Sequence, residues 1–222
     1  KEVINLLVEI EPRFKEQIQI REQIKGADAY IATGSDNSAR YFEYYFEKYP
    51  KIIRKNRTSC AIIHGQESPA ELRKLGQDVF SYFGLGCRNV SKLFLPKGYN
   101  FDAILDSFHS FAHFAQNNKY GNNYDYTKAI YLLNKEPHLD SGFLLLRESS
   151  ELVSPTSVLF YEYYDDGASL KQRIDTQKDK IQCIVSQKAW FADSIPFGEA
   201  QKPKISDYAD GEDTMQFLFS LG

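Results

Sequence analysis

Thr58-Ser59-Cys60-Ala61-Ile62-Ile63-His64-Gly65, then Ser68-Pro69-Ala70-Glu71-Leu72, then Gly84-Leu85-Gly86-Cys87-Arg88-Asn89-Val90, is the stretch that decides the reading of this chain. Ser59 to Ile63 is small and apolar, as a buried strand is, and His64-Gly65 closes it. Ser68 is a natural N-cap, Pro69 suits the first helical position and Glu71 completes a capping box, so a helix starts here. The helix turns Leu72, Leu75, Val79, Phe80 and Phe83 inward and stops at Gly84. Val90 to Leu95 reads as the next strand. Cys87 therefore falls in a helix–turn–strand connection.

The same alternation continues on both sides. Val3, Leu6, Leu7, Ile10 and Phe14 recur at helical spacing, with Pro12 set to disturb the helix. Ile18 and Ile20 alternate with polar residues and suggest a short strand. Ala27 to Ala32 reads as a more buried strand running into Thr33-Gly34-Ser35-Asp36, after which a helix carries Phe42, Tyr45, Phe46 and Tyr49 on one face until Pro50. Downstream, a helix is expected from Phe101 to Gln116 and a polar, tyrosine-rich loop from Asn117 to Thr127. Strands are expected at Phe143 to Arg147, Ser157 to Tyr163 and Ile181 to Ser186, with a helix at Ala168 to Asp175. Phe197 to Asp213 reads as an extended tail before a short final segment. Alternating strands and helices argue for an α/β architecture.

The 222 residues are 42% hydrophobic and 14% aromatic, enough for a sizeable core. A formal charge of −3 gives no general attraction to nucleic acid or anionic membrane. The basic cluster Arg54-Lys55-Asn56-Arg57 reads as a solvated loop, because no aromatic platform interleaves it. Three cysteines, Cys60, Cys87 and Cys183, form no metal-type pairing and no even-numbered disulfide framework, which fits a reducing cytoplasm. No membrane-length apolar run and no signal-peptide pattern occurs. The expectation is a cytoplasmic protein that neither inserts in a membrane nor binds nucleic acid.

Cys87 lies at the end of a glycine-bearing turn, where a thiol is presented rather than packed. That setting serves a nucleophile, and it equally describes a free thiol in a surface loop. Cys60 and Cys183 lie inside expected strands and read as small core residues. At Gly34-Ser35 a strand enters a helix, whose N-terminal N–H groups and dipole attract a phosphate; an ordinary turn with an N-cap serine has the same pattern. Asp102, Asp106, His109 and His113 share one face of the expected helix. A solvated polar face explains them more simply than a metal site, and no metal is expected. Arg88 and Lys92 are candidates for lowering the Cys87 pKa by proximity, while the end of the preceding helix would oppose them. Trp190 and Phe191 read as packing anchors.

Taken in order, several of these segments resemble the aldehyde dehydrogenase superfamily, and within it the acyl-CoA reductase (fatty-acid reductase) branch. Ile31-Ala32-Thr33-Gly34-Ser35 is similar to the strand and Gly-Ser turn at the family's cofactor pyrophosphate. Gly84-Leu85-Gly86-Cys87 is similar to the approach to its catalytic cysteine. Glu151-Leu152-Val153-Ser154-Pro155 resembles the motif whose glutamate holds the nicotinamide ribose, and Pro196-Phe197-Gly198 resembles a turn near the end of the catalytic domain. Ala39 to Phe46 and Asp207 to Gly211 look specific to the reductase branch.

The resemblance implies an aldehyde dehydrogenase-like α/β fold: residues 1–57 as the C-terminal portion of an NAD(P)-binding domain, 58–195 as the catalytic cysteine domain and 196–222 as a C-terminal extended segment. Most of the nucleotide-binding domain, with the oxyanion asparagine, is then expected upstream of Lys1. The resemblance further implies Cys87 as the catalytic residue, cofactor contacts at Gly34, Ser35 and Glu151, NADP(H) as cofactor, acyl-CoA as substrate and a homo-oligomer. One departure bears on the chemistry. Aldehyde-oxidising relatives carry a general-base glutamate just before the strand at Ser59, whereas Lys51-Ile52-Ile53-Arg54-Lys55-Asn56-Arg57 has no carboxylate. The expected activity is therefore NADPH-dependent reduction of acyl-CoA to aldehyde through a thioester on Cys87. A thioester transferase without hydride transfer and a non-catalytic assembly module are the alternatives.

Overall fold

The computed structural model describes residues 1–222 and builds two sheets from the alternation. At the N-terminus, α1 (Glu2–Ile10) and α2 (Phe14–Gln17) are separated at Pro12, and neither buries a residue. The alternation around Ile18 and Ile20 forms no strand, because no neighbouring strand lies there to pair with it. Next come β1 (Tyr30–Thr33), α3 (Asp36–Tyr45) and β2 (Lys51–Arg54), a strand–helix–strand unit whose two strands run parallel. The strand expected over Ala27 to Ala32 thus starts later, and of its residues only Tyr30 is buried, stacked on Phe46 with ring centroids 3.9 Å apart. Tyr45 and Tyr49, expected on the inward face of α3, are exposed. The basic stretch is in part strand rather than loop: Arg54 is the last residue of β2, in which Ile52 is buried and the other residues are partly covered.

The larger sheet begins with β3 (Thr58–Ile62), buried at every residue, followed by α4 (Pro69–Phe80), whose Ser68–Glu71 capping box is formed as expected. β4 (Val90–Pro96) comes next, then α5 (Asp102–Phe108) and a 3-10 segment over His109–Gln116, so the expected single helix changes pitch at His109. The expected loop from Asn117 is instead the start of α6 (Asn118–Leu133). Asn117 caps it by accepting from the Lys119 and Tyr120 N–H groups, and its buried stripe is Tyr120, Tyr124, Thr127 and Tyr131. The chain continues through β5 (Leu139–Asp140), β6 (Leu145–Glu148), β7 (Val158–Tyr164), α7 (Gly167–Asp175), β8 (Ile181–Ser186), β9 (Ile195–Pro196) and α8 (Thr214–Phe219).

The strand order is β5-β6-β7-β4-β3-β8-β9, and every neighbouring pair is parallel except β5 with β6. Parallel strands buried on both faces carry apolar residues at odd and even positions alike. Ala61 and Ile63 accordingly face a cluster with Leu72, Leu75, Phe80 and Phe108, and Cys60 and Ile62 face another with Leu170 and Ile174 of α7. Tyr124 and Tyr131 form a third cluster with Leu145, Val158 and Phe160. Trp190 is no anchor: it is half-exposed against His64, while Phe191 packs on the α7 cluster.

Phe111 stacks on Phe80 at 5.0 Å and lies so close over α4 that a Cβ on Gly76 would come within 2.3 Å of its ring. Gly76→Ala is expected to cost about 1–3 kcal/mol by overpacking. Urea unfolding checks this, and Phe111→Leu combined with Gly76→Ala should recover part of the loss.

Candidate active site around Cys87

The route from α4 to β4 is tightly shaped. After Phe80 the backbone passes through left-handed Tyr82 (φ 52°), Phe83 (φ 59°) and Gly84 (φ 72°). For the two aromatic residues this conformation is strained and must be held by surrounding contacts. The hold comes from Asn89. Its buried amide nitrogen donates to the carbonyls of Asp78 (3.0 Å), Val79 (3.3 Å) and Ser81 (2.8 Å), and its Oδ1 accepts from the Gly86 N–H at 2.8 Å. One side chain thus closes the C-terminal end of α4 and sets the turn that displays Cys87. The carbonyl end of the helix is occupied by this amide.

Three further side chains tie the turn and the helix before it to distant parts of the chain. Ser59 Oγ donates to the Cys87 carbonyl at 3.0 Å and lies 3.0 Å from Cys183 Sγ. The Arg88 guanidinium donates to the Ala200 carbonyl. Asp78, buried beneath, accepts from the N–H groups of Gly198 (2.6 Å) and Ala200 (3.1 Å). The Pro196-Phe197-Gly198 turn is therefore bound to α4, and Ala200 just after it is bound to Arg88, the residue beside Cys87. Burial raises the Asp78 carboxyl to about 6 against the pull of those two N–H groups.

Cys87 is exposed and borders a cleft of about 570 Å³. Thr33, Arg54, Arg57, Val153 and Ser154 also line it. Two segments far apart in sequence thus share one cavity with the thiol: Thr33, next to Gly34-Ser35, and Val153-Ser154, which begins two residues after Glu151. Gly34, Ser35 and Glu151 themselves are not in the wall. Glu151 is exposed, with its N–H donated to Ser149 Oγ. Ser35 caps α3 by accepting from the Ser38 N–H at 3.2 Å, and the Gly34 N–H is taken by the Arg54 carbonyl. A Cβ on Gly34 would lie 2.7 Å from that of Ser38, so glycine is needed there for the helix to approach. The Asp36 and Asn37 N–H groups at the start of α3 have no partner inside the chain, and Asp36 adds a carboxylate to the same turn. The Cys87 N–H makes no hydrogen bond inside the chain, so it can serve an oxyanion.

Lys92 does not act on Cys87. It is fully buried, with its ammonium on the Ser149 carbonyl and 2.9 Å from Glu162, which Arg173 also contacts at 3.2 Å. Burial lowers the Lys92 pKa against the attraction of Glu162. Arg173 donates to the Ser150 carbonyl and Ser91 to the Leu152 carbonyl, so this group clamps the loop that brings Val153-Ser154 to the cleft. Cys60 is a core residue as expected, and burial pushes its thiol up; Cys183 is half-buried. His109 and His113 sit in the 3-10 segment, where residues four apart no longer stack as on an α-helix. His113 Nδ1 lies 3.2 Å from the Ser110 carbonyl oxygen.

No protein-family model matches the chain, and no curated protein does. Solved structures do. An indole-3-acetaldehyde dehydrogenase bound to NAD+ superposes with a TM-score of 0.54 at 10% identity, over 76% of this chain and 41% of its own. The aldehyde dehydrogenase KauB from Pseudomonas aeruginosa gives 0.54 at 9%, over 75% and 41%. An NAD+ complex of a Bacillus cereus aldehyde dehydrogenase gives 0.51 at 12%, over 72% and 39%. The fold is aldehyde dehydrogenase-like. This chain spans about two-fifths of the length of those structures, and at such identities the likeness is one of fold. No helix is long and apolar enough to cross a membrane.

Asn89→Ala leaves three carbonyls and the Gly86 N–H without their partner and is expected to cost about 2–4 kcal/mol, read by chemical denaturation. Asp78 also makes stability depend on pH. Its folded pKa of about 6 lies above the ordinary 3.8, so the folded state holds the proton more tightly. Its contribution is full below pH 4 and is lost as pH rises through 6, by roughly 3 kcal/mol. Denaturation of the native chain and of Asp78→Asn across pH 4–7 should show this slope only in the former.

Proposed function

We propose that the chain is the cysteine-bearing part of an NADPH-dependent fatty acyl-CoA reductase. The observation that carries this reading is an exposed Cys87 in a cleft that faces Arg54 and Arg57, in a stretch without any carboxylate to activate water. In the reaction the Cys87 thiolate attacks the thioester carbonyl carbon, forming a carbon–sulfur bond and placing negative charge on the oxygen. The Cys87 N–H donates to that oxygen. Collapse breaks the bond to coenzyme A, which leaves as a thiolate and takes a proton from solvent, and the acyl group stays on Cys87. With no general base in the 51–57 stretch, hydrolysis of this thioester is not assisted there. When bound, reduced nicotinamide supplies the hydride that takes the acyl group to the aldehyde level. The Gly34-Ser35 turn is the place proposed for its phosphates, with Glu151 toward the ribose.

A second reading, thioester transfer without hydride, is favoured by one observation: Glu151 is exposed and outside the cleft wall. Incubation with a long-chain acyl-CoA should add one acyl mass to the peptide containing Cys87 and none to Cys87→Ala. An unmodified Cys87 rejects both readings. With the longer protein, steady loss of NADPH absorbance during coenzyme A release selects the reductase, and a constant absorbance selects the transferase.

A further inference from the structure

The mouth of the Cys87 cleft carries a poorly matched set of charges. Arg54 Nε lies 4.0 Å and Arg57 Nε 3.5 Å from the single carboxylate of Asp210, and neither contact is a hydrogen bond. Arg54 Nε is buried without an acceptor, and the same guanidinium donates to Thr214 Oγ1 at 2.8 Å. The neighbouring Lys55 is engaged elsewhere, by Glu43 at 2.7 Å. A guanidinium pairs best in a fork, with two parallel hydrogen bonds to a carboxylate or phosphate. Two forks sharing one distant carboxylate are incompletely satisfied. Asp179 and Glu212 border the adjoining recess, yet neither is paired with Arg54 or Arg57.

The segment that brings Asp210 here is suited to leave. Residues 203–213 form no strand and are mostly exposed, and they carry Asp207, Asp210, Glu212 and Asp213 against the single base Lys204. Their polar contacts are largely internal: Asp207 accepts from the Lys204 N–H, and Asp213 caps α8. Asp210 itself has left-handed backbone (φ 61°), which aspartate adopts more readily than most residues.

We propose that Arg54 and Arg57 form a phosphate-recognition site at the mouth of the Cys87 cleft, and that Asp210 is an internal counter-ion which the phosphate of an incoming ligand displaces. The ligand class rests on the reading of Cys87 as an acyl acceptor; the phosphate belongs either to coenzyme A or to the nicotinamide dinucleotide. A phosphate takes both forks at closer range than one carboxylate can, and its arrival frees the acidic strap from the cleft.

The test uses the chain as purified, with 3′,5′-adenosine diphosphate (the nucleotide part of coenzyme A) and NADP+ as separate probes. Affinity is read by calorimetry, and protection by the rate at which iodoacetamide alkylates Cys87. One probe or both should protect Cys87, and the one that does identifies the source. Arg57→Gln is expected to weaken that probe about tenfold, the loss of one charge-assisted contact. Asp210→Asn, which keeps the shape of this partly covered side chain and removes its charge, is expected to tighten it severalfold, and added salt to weaken it. Absence of protection by either probe, affinity unchanged in Arg57→Gln, or weaker binding in Asp210→Asn overturns the proposal. An acyl N-acetylcysteamine thioester, which has no phosphate, separates the two claims. If it acylates Cys87 while the variants leave anion affinity unchanged, only the phosphate site fails. If Cys87 stays free while anions bind through Arg57, the acyl-acceptor reading fails and the site stands.

Discussion

The side chain of Asn89 meets three carbonyls at the end of α4 and one N–H in the turn that follows, and much of the structure around Cys87 depends on those four contacts. A helix that stops inside a protein leaves acceptors needing partners, and a buried polar group without one is costly. Asn89 supplies the partners from the first residues after the turn, so helix end, turn and strand start are one unit. The strained backbone at Tyr82 and Phe83 is held inside that unit. A thiol at its crest can stay exposed while the turn beneath it is fixed.

A second set of contacts binds this unit to distant chain. Asp78 and Arg88 take up the backbone of Gly198 and Ala200, Ser59 holds the Cys87 carbonyl, and the Lys92–Glu162–Arg173 group grips the loop before Val153. Each uses a polar side chain on a backbone group, and each orients a wall of the cleft. The Cys87 and Ser154 walls of the cavity are thus held largely by side chains that bond to backbone behind them.

Much of the sheet was legible in the sequence. β3, β4 and β8 announce themselves as apolar runs because both faces of a parallel sheet are covered, and the Ser68–Glu71 box marks the start of α4 with local chemistry alone. α6 was hidden because its buried stripe is made of tyrosines and a threonine among asparagines, residues that look polar when read singly. β2 was hidden because only Ile52 turns inward and charged residues surround it. The alternation at Ile18 and Ile20 failed for the converse reason: a strand needs a partner, and none is near. At the site, Cys87 could be singled out from its glycine turn. Asn89, Asp78 and Ser59 could not, since their partners are backbone groups whose proximity only the tertiary structure creates. Lys92 misled because nearness in sequence to Cys87 does not survive strand pleating, which sends it into the core.

The link from Asp78 and Arg88 to residues 198–200 has a consequence for the order of assembly. A chain emerging from the ribosome would have β3, α4 and β4 in hand long before Gly198 and Ala200 appear. Until they do, the Asp78 carboxylate lacks its N–H donors and Arg88 its carbonyl. The strand–helix–strand nucleus can condense early from local contacts, but the groove beside the thiol is finished only once Gly198 and Ala200, 120 and 122 residues after Asp78, have been made. The surroundings of Cys87 and the main core are thus closed together, since Phe197 and Ala200 also complete the cluster beneath α4.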